Sequence, residues 1–223
     1  TYVERMTRML DADLPASRRM SAVVFLLNYC AMSGDFHRAR TLLVRTRALA
    51  EDLEVSEINR YYWLDWLGYY HFLCADYLAA ERVIQEAQAI ESGFSHSLLK
   101  VDLWFIRALI ALNRRDVAAA KRFVDQMESA SIASRPLDRQ FCLIARAWLA
   151  LERGTSAEAI EAARSALAVA EPLGVPFWQA ICRTPLILAL INAKRFDEAK
   201  RVIDGARALV RGVPAHAGRA GLR

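Results

Sequence analysis

Glycine and proline are scarce, nine and six in 223 residues, which excludes collagen-like and low-complexity chains. Cysteine is scarcer still: Cys30, Cys74, Cys142 and Cys182 lie far apart in apolar surroundings, without the close pairing of a zinc site or a disulfide framework. They read as small buried hydrophobes in a reducing compartment. No run approaches the roughly 20 apolar residues of a membrane span, and the first residues lack the basic-then-apolar order of a signal peptide. The expectation is a cytoplasmic location and no membrane partner.

A nucleotide cradle is missing too, since neither G-x-x-x-x-G-K-[ST] nor G-x-G-x-x-G occurs. His37, His71, His96 and His216 have no Cys or Ser partner at a recognisable spacing, so the chain reads as a non-enzyme, with no catalytic residue, metal ligand or cofactor. Cationic charge is not spread along the chain either. The net charge of +5 arises wholly from Lys194 onward, where eight basic residues meet three acidic ones; of the 30 basic and 25 acidic residues in all, 22 of each remain before it. A neutral body offers no stripe of cations to displace phosphate counterions, so no direct nucleic-acid partner is expected.

What is abundant is apolar and helix-forming. The hydrophobic fraction is 55%, enough to bury a core, and apolar residues recur at three and four positions with no convincing period-two strand. A tight turn, Gly34-Asp35-Phe36, stands just before Ala39, and the same turn-then-alanine spacing recurs at Ala80, Ala120, Ala159 and Ala199, at intervals of 41, 40, 39 and 40 residues. Gly154 holds the place of Gly34 in the fourth turn. Twelve residues before the alanine stand Gly68, Ala108 and Ala147 in the middle repeats; a small residue there, facing another small one, lets two antiparallel helices approach closely. Four and seven residues after it come further members of the same face, Leu43 and Thr46 in the first repeat.

The unit is therefore a helix, a short turn and a second helix, whose apolar face only a stacked neighbour can bury. The spacing predicts helices 17–33 with 37–52, 56–73 with 77–92, 97–113 with 117–130, 137–153 with 156–171, and 176–193 with 196–211. Ser92-Gly93, Ser134-Arg135-Pro136 and Pro172 to Pro176 are read as the loops between them. One more period back from Ala39 falls just before Thr1, so residues 1–13, with Val3 to Leu10, are expected to be the second helix of a truncated repeat. Residues 212–223 read as a flexible tail.

Asn28-Tyr29 followed by Gly34-Asp35-Phe36 and Ala39, and Trp63 to Tyr70 followed by Asp76-Tyr77 and Ala80, resemble the tetratricopeptide (TPR) signature over most of residues 17–211. The unit is longer than the usual TPR of about 34 residues and in this resembles the MalT-like arrays of signal-transduction ATPases and LuxR-type transcription activators. HEAT repeats share the pitch and remain an alternative, although the small-residue register and the Gly-Asp-Phe turn argue against them. The resemblance implies an all-α, right-handed superhelix of about five repeats, a single repeat domain over residues 1–211.

It also implies that the first helix of each pair lines a concave groove. Counting back from each alanine places Asn28, Tyr69, Leu109 and Trp148 there, eleven residues before it, and Asp65 and Phe105 at fifteen. Tyr62 and Asp102 lie at eighteen, Phe72 at eight, and Asn113, Glu152 and Asn192 at seven. Rings set among sparse polar groups suit a binding groove; the alternative is that single rings pack between repeats. The cationic second helices, with Arg38, Arg45 and Lys200, read as the solvated outer face. The expectation is a sensing region of a larger bacterial regulator, binding a protein segment or small effector beside other domains of a parent chain. A constitutive assembly scaffold is the alternative.

Overall fold

The computed structural model describes residues 2–91 and 100–211. The Ser92-Gly93 loop, His96, His216 and the tail 212–223 lie outside the described residues. The described chain is all-helical. It divides into two compact units, one within residues 1–97 and the other within residues 98–214. The first holds α1 (Tyr2–Asp11), α2 (Ala16–Ser33), α3 (Phe36–Ala50), α4 (Glu57–Leu73) and α5 (Tyr77–Glu91). The second holds α6 (Lys100–Asn113), α7 (Val117–Ala130), α8 (Pro136–Glu152), α9 (Ser156–Leu173), α10 (Pro176–Asn192) and α11 (Phe196–Arg211). The helix pairs read from the sequence recur, and the ends that lie among the described residues shift by at most two residues.

Each hairpin turns on the same joint. The residue five before the repeat alanine adopts a left-handed conformation every time: Gly34, Ala75, Arg115, Gly154 and Lys194, with φ of 72°, 60°, 58°, 75° and 58°. The next residue donates its N–H back to the carbonyl five residues earlier, in Asp35 to Cys30, Asp76 to His71, Asp116 to Ala111, Thr155 to Ala150 and Arg195 to Leu190, at 2.8–3.0 Å. This is the Schellman closure, which satisfies a carbonyl that the ending helix leaves orphaned. The same residue starts the second helix, its carbonyl accepting the N–H of Ala39, Ala80, Ala120, Ala159 or Ala199. Where it is an aspartate, its carboxylate also takes an N–H of the new first turn, from Arg38 at 3.1 Å, Ala79 at 3.2 Å and Ala119 at 2.9 Å.

The joint fixes which side chains face inward. All five alanines are at most 4% exposed. The four-later and seven-later positions are buried in the first four repeats, from Leu43 and Thr46 to Ala163 and Ala166. In the fifth, Ile203 and Ala206 are half-buried, because among the described residues α11 packs only on α10. The close approach is tightest at Gly68, where an added Cβ would stand 3.2 Å from Cγ1 of Ile84. Its neighbour is therefore a bulky residue of its own second helix, and the missing Cβ is what admits it.

Within each unit, first helices pack on their partners and on one another: α2 on α4 in the first, α6 on α8 and α8 on α10 in the second. Second helices do not pack together among the described residues and are bridged instead by long polar side chains, Arg45 to Asp11 and Arg164 to Glu198. Part of the expected solvated cationic face is thus spent on pairing.

Two local expectations are corrected. Helix α9 runs through Pro172, read as a loop residue, because in the last turn the missing N–H costs a single bond and Gly174, at φ 66°, ends the helix. Cys74 is exposed rather than buried, since it caps α4 at the turn.

The joint predicts opposite signs for two exchanges. Gly154 has open space around its Cβ direction, so Gly154→Ala should cost about 1 kcal/mol through backbone strain alone, whereas Arg115→Gly should be neutral to stabilising by up to about 1 kcal/mol. Urea titrations of both variants read this directly. At the crossing, Ala120→Leu should overpack the hairpin and lower stability by about 1–3 kcal/mol.

Candidate functional site

Once the helices are packed, the predicted groove residues separate into internal and open positions, and buried polar side chains form a third group that only Asp65 shares with them. The first is internal. Phe105 of α6 lies 4.8 Å from the ring of Phe141 of α8, which meets Trp178 of α10 edge-on at 5.1 Å, and all three rings are buried. This ladder ties the first helices of the second unit together, so Phe105 packs between repeats instead of facing a ligand. The reason is geometric: fifteen before one alanine meets eighteen before the next, and both positions turn toward the neighbouring helix. Tyr69 is also buried, against Trp66 at 5.9 Å and Phe72 at 6.4 Å, over a small apolar depression shared with Leu27, Phe36 and Leu43.

The second group is open. In the second unit, the positions eleven before the alanine are Leu109 and Trp148, half-buried, and Leu188, 40% exposed. One turn on come Asn113, Glu152 and Asn192, all exposed. An apolar row and a polar row thus run side by side across α6, α8 and α10. The polar row is partly engaged: Asn113 donates to the carbonyl of Leu109 at 2.9 Å, and Glu152 pairs with Arg115 at 3.7 Å across neighbouring repeats. Asp102 on the first turn of α6 is half-buried. In the first unit, Asn28, Tyr62 and Phe72 are half-buried.

The third group is the set of buried polar side chains, most of which periodicity could not single out. Asp138 is explained locally: its Oδ2 accepts the N–H of Ile132 at 3.1 Å and faces Arg135 at 3.4 Å, closing the loop between α7 and α8. Gln140 is fully buried on α8 and donates to Sγ of Cys182 at 3.5 Å. Asp65 has no such explanation. It is 8% exposed, its Oδ1 has no hydrogen-bond partner, and burial pushes its carboxyl up to about 7. Burial likewise raises the thiols of Cys30 and Cys142 to about 11 and that of Cys182 to about 12, which keeps them protonated and inert as nucleophiles at neutral pH.

Among the described residues no three His, Cys, Asp or Glu side chains gather to hold a metal ion. No helix there is long and apolar enough to cross a membrane. No family model matches the chain, and no curated protein matches it.

Burial of Asp65 makes stability depend on pH. Its folded-state value lies above the unfolded value near 4, so the folded chain holds a proton that the unfolded chain has released between about pH 4 and 7, and this contribution is lost as pH rises through 7. The Asp65→Asn variant, neutral at every pH, should gain on the parent by about 1–3 kcal/mol between pH 5 and 8. Urea titrations of both chains across that interval measure the slope.

Proposed function

We propose that the chain is a right-handed, TPR-like superhelix of about five 40-residue repeats, and that it recognises a protein segment or small effector without transforming it. The observation that carries the reading is the paired row on α6, α8 and α10: half-buried Leu109 and Trp148 with the more open Leu188, flanked one turn away by Asn113, Glu152 and Asn192. Apolar area provides affinity by leaving water, and polar groups at a fixed offset orient what binds. Mutual packing of first helices, with second helices bridged only by side chains, supports a curvature that places this row on the concave side. The five repeated joints support the TPR resemblance.

From that resemblance we further infer a role as the sensing region of a larger bacterial transcription or signalling regulator, acting in the cytoplasm beside other domains of a parent chain. Its mechanism would be a population shift, the ligand binding one arrangement of the repeats more tightly than another. A thermal-shift screen of amino acids, sugars and short peptides should reveal a compound that raises the melting temperature by mass action. Trp148→Ala should then abolish that rise while lowering the melting temperature of the free chain less than Ala120→Leu does. If the response survives Trp148→Ala combined with Asn192→Ala, the row is not the site.

A further inference from the structure

Asp65 is costly where it stands. A carboxylate removed from water without a partner is among the least favourable groups a protein can bury. Packing does not require an acid there, because at the same repeat position the chain carries Val24, Phe105 and Ile144. Asp138, the other buried aspartate with an unpartnered oxygen, is held through its second oxygen by a backbone N–H and by Arg135, so it has a structural role that Asp65 lacks.

The surroundings of Asp65 on its own helix have a consistent chemistry. Tyr62, Asp65, Tyr69 and Phe72 stand three, four and three residues apart and so follow one stripe of α4. Rings of Tyr69 and Phe72 lie 6.4 Å apart, tilted at 34°, and Tyr62 meets Tyr61 edge-on at 6.2 Å. Aromatic faces carry negative quadrupole charge: they oppose a bare anion and attract a cation. A carboxylate left unpaired within such a stripe lacks one thing, a positive group of small size.

We propose that α4 carries a recognition site for an organic ammonium or guanidinium group, with Asp65 as its counter-ion and the half-buried Tyr62 one turn away on the same stripe. The site rests on the reading of first-helix faces as recognition surfaces and adds the charge of what one of them takes. Binding would satisfy Oδ1 and hold the carboxyl ionised at neutral pH, so cation uptake should release a proton below about pH 7. The cation can come from a free amine or from a lysine or arginine side chain of a protein segment.

Isothermal titration at pH 6 and pH 8 separates these. Free-cation probes are putrescine and choline, with 3,3-dimethylbutan-1-ol as the neutral twin of choline; the tethered probe is a short lysine peptide with its norleucine counterpart. A charged probe should bind and its neutral twin should not. The Asp65→Asn variant, whose folding is checked by its melting temperature, should bind at least about tenfold more weakly, as expected for a lost charge-assisted contact. Tyr62→Leu should weaken binding by a smaller factor. The inference is overturned if no charged probe binds at about 10 mM, if neutral twins bind equally well, or if Asp65→Asn leaves affinity unchanged. Should these probes fail while a ligand dependent on Trp148 is found, the recognition face on α6, α8 and α10 stands and the cation site on α4 falls.

Discussion

Two antiparallel helices joined by two or three residues bring orphan carbonyls and orphan N–H groups to the same end of a hairpin, and both sets must be satisfied within a few ångströms. Here one residue serves both. Its N–H closes the first helix onto a carbonyl five residues back, and its carbonyl accepts the first bond of the second helix. Only a left-handed residue immediately before it can turn the chain sharply enough for both bonds to form. Ala75, Arg115 and Lys194 tolerate that conformation at an energetic cost, which shows how firmly the joint is held by packing on either side. With the turn fixed, the phase of each second helix is fixed as well, and the repeat alanine falls at the crossing.

That dependence explains how much of the fold was legible. The joint leaves a local trace, an alanine four residues after the capping residue at all five turns, with Asp as that capping residue at three of them, and periodicity locates the helices around it. The site was less legible. Rotations of a few tens of degrees about a first helix separate positions that meet the next repeat from positions that meet open space, and no local pattern records that difference. Phe105 and Trp148 are both aromatic, four residues from each other's register, yet one is locked in a ring ladder and the other is half open. Periodicity marked Asp65 as a polar member of a face but could not reveal that its Oδ1 has no partner, because that depends on what surrounds it in three dimensions.

Buried polar groups deserve separate weight in an interior built largely of alanine and leucine. Trp63 donates its ring N–H to Oγ1 of Thr46 at 3.3 Å, joining α4 to α3, and Asn59 bonds the backbone and hydroxyl of Ser17, joining α4 to α2. Such bonds add little net stability over an apolar contact, but they penalise any sliding of one hairpin on the next, since a slipped register leaves a buried donor unpaired. Alanine faces alone tolerate slippage; these bonds set the register that the small residues permit.

The same repeat carries two kinds of position, and their contrast within the chain bears on function. At the crossing the residue is alanine five times out of five, because anything larger would push the helices apart. Eleven residues earlier it is Asn28, Tyr69, Leu109, Trp148 and Leu188, a set with no common size or polarity. In the second unit Leu109, Trp148 and Leu188 keep part of their surface open at this position, so packing constrains them less than it constrains the alanines. Separating the two lets hairpins of one pattern carry a different side chain at each repeat.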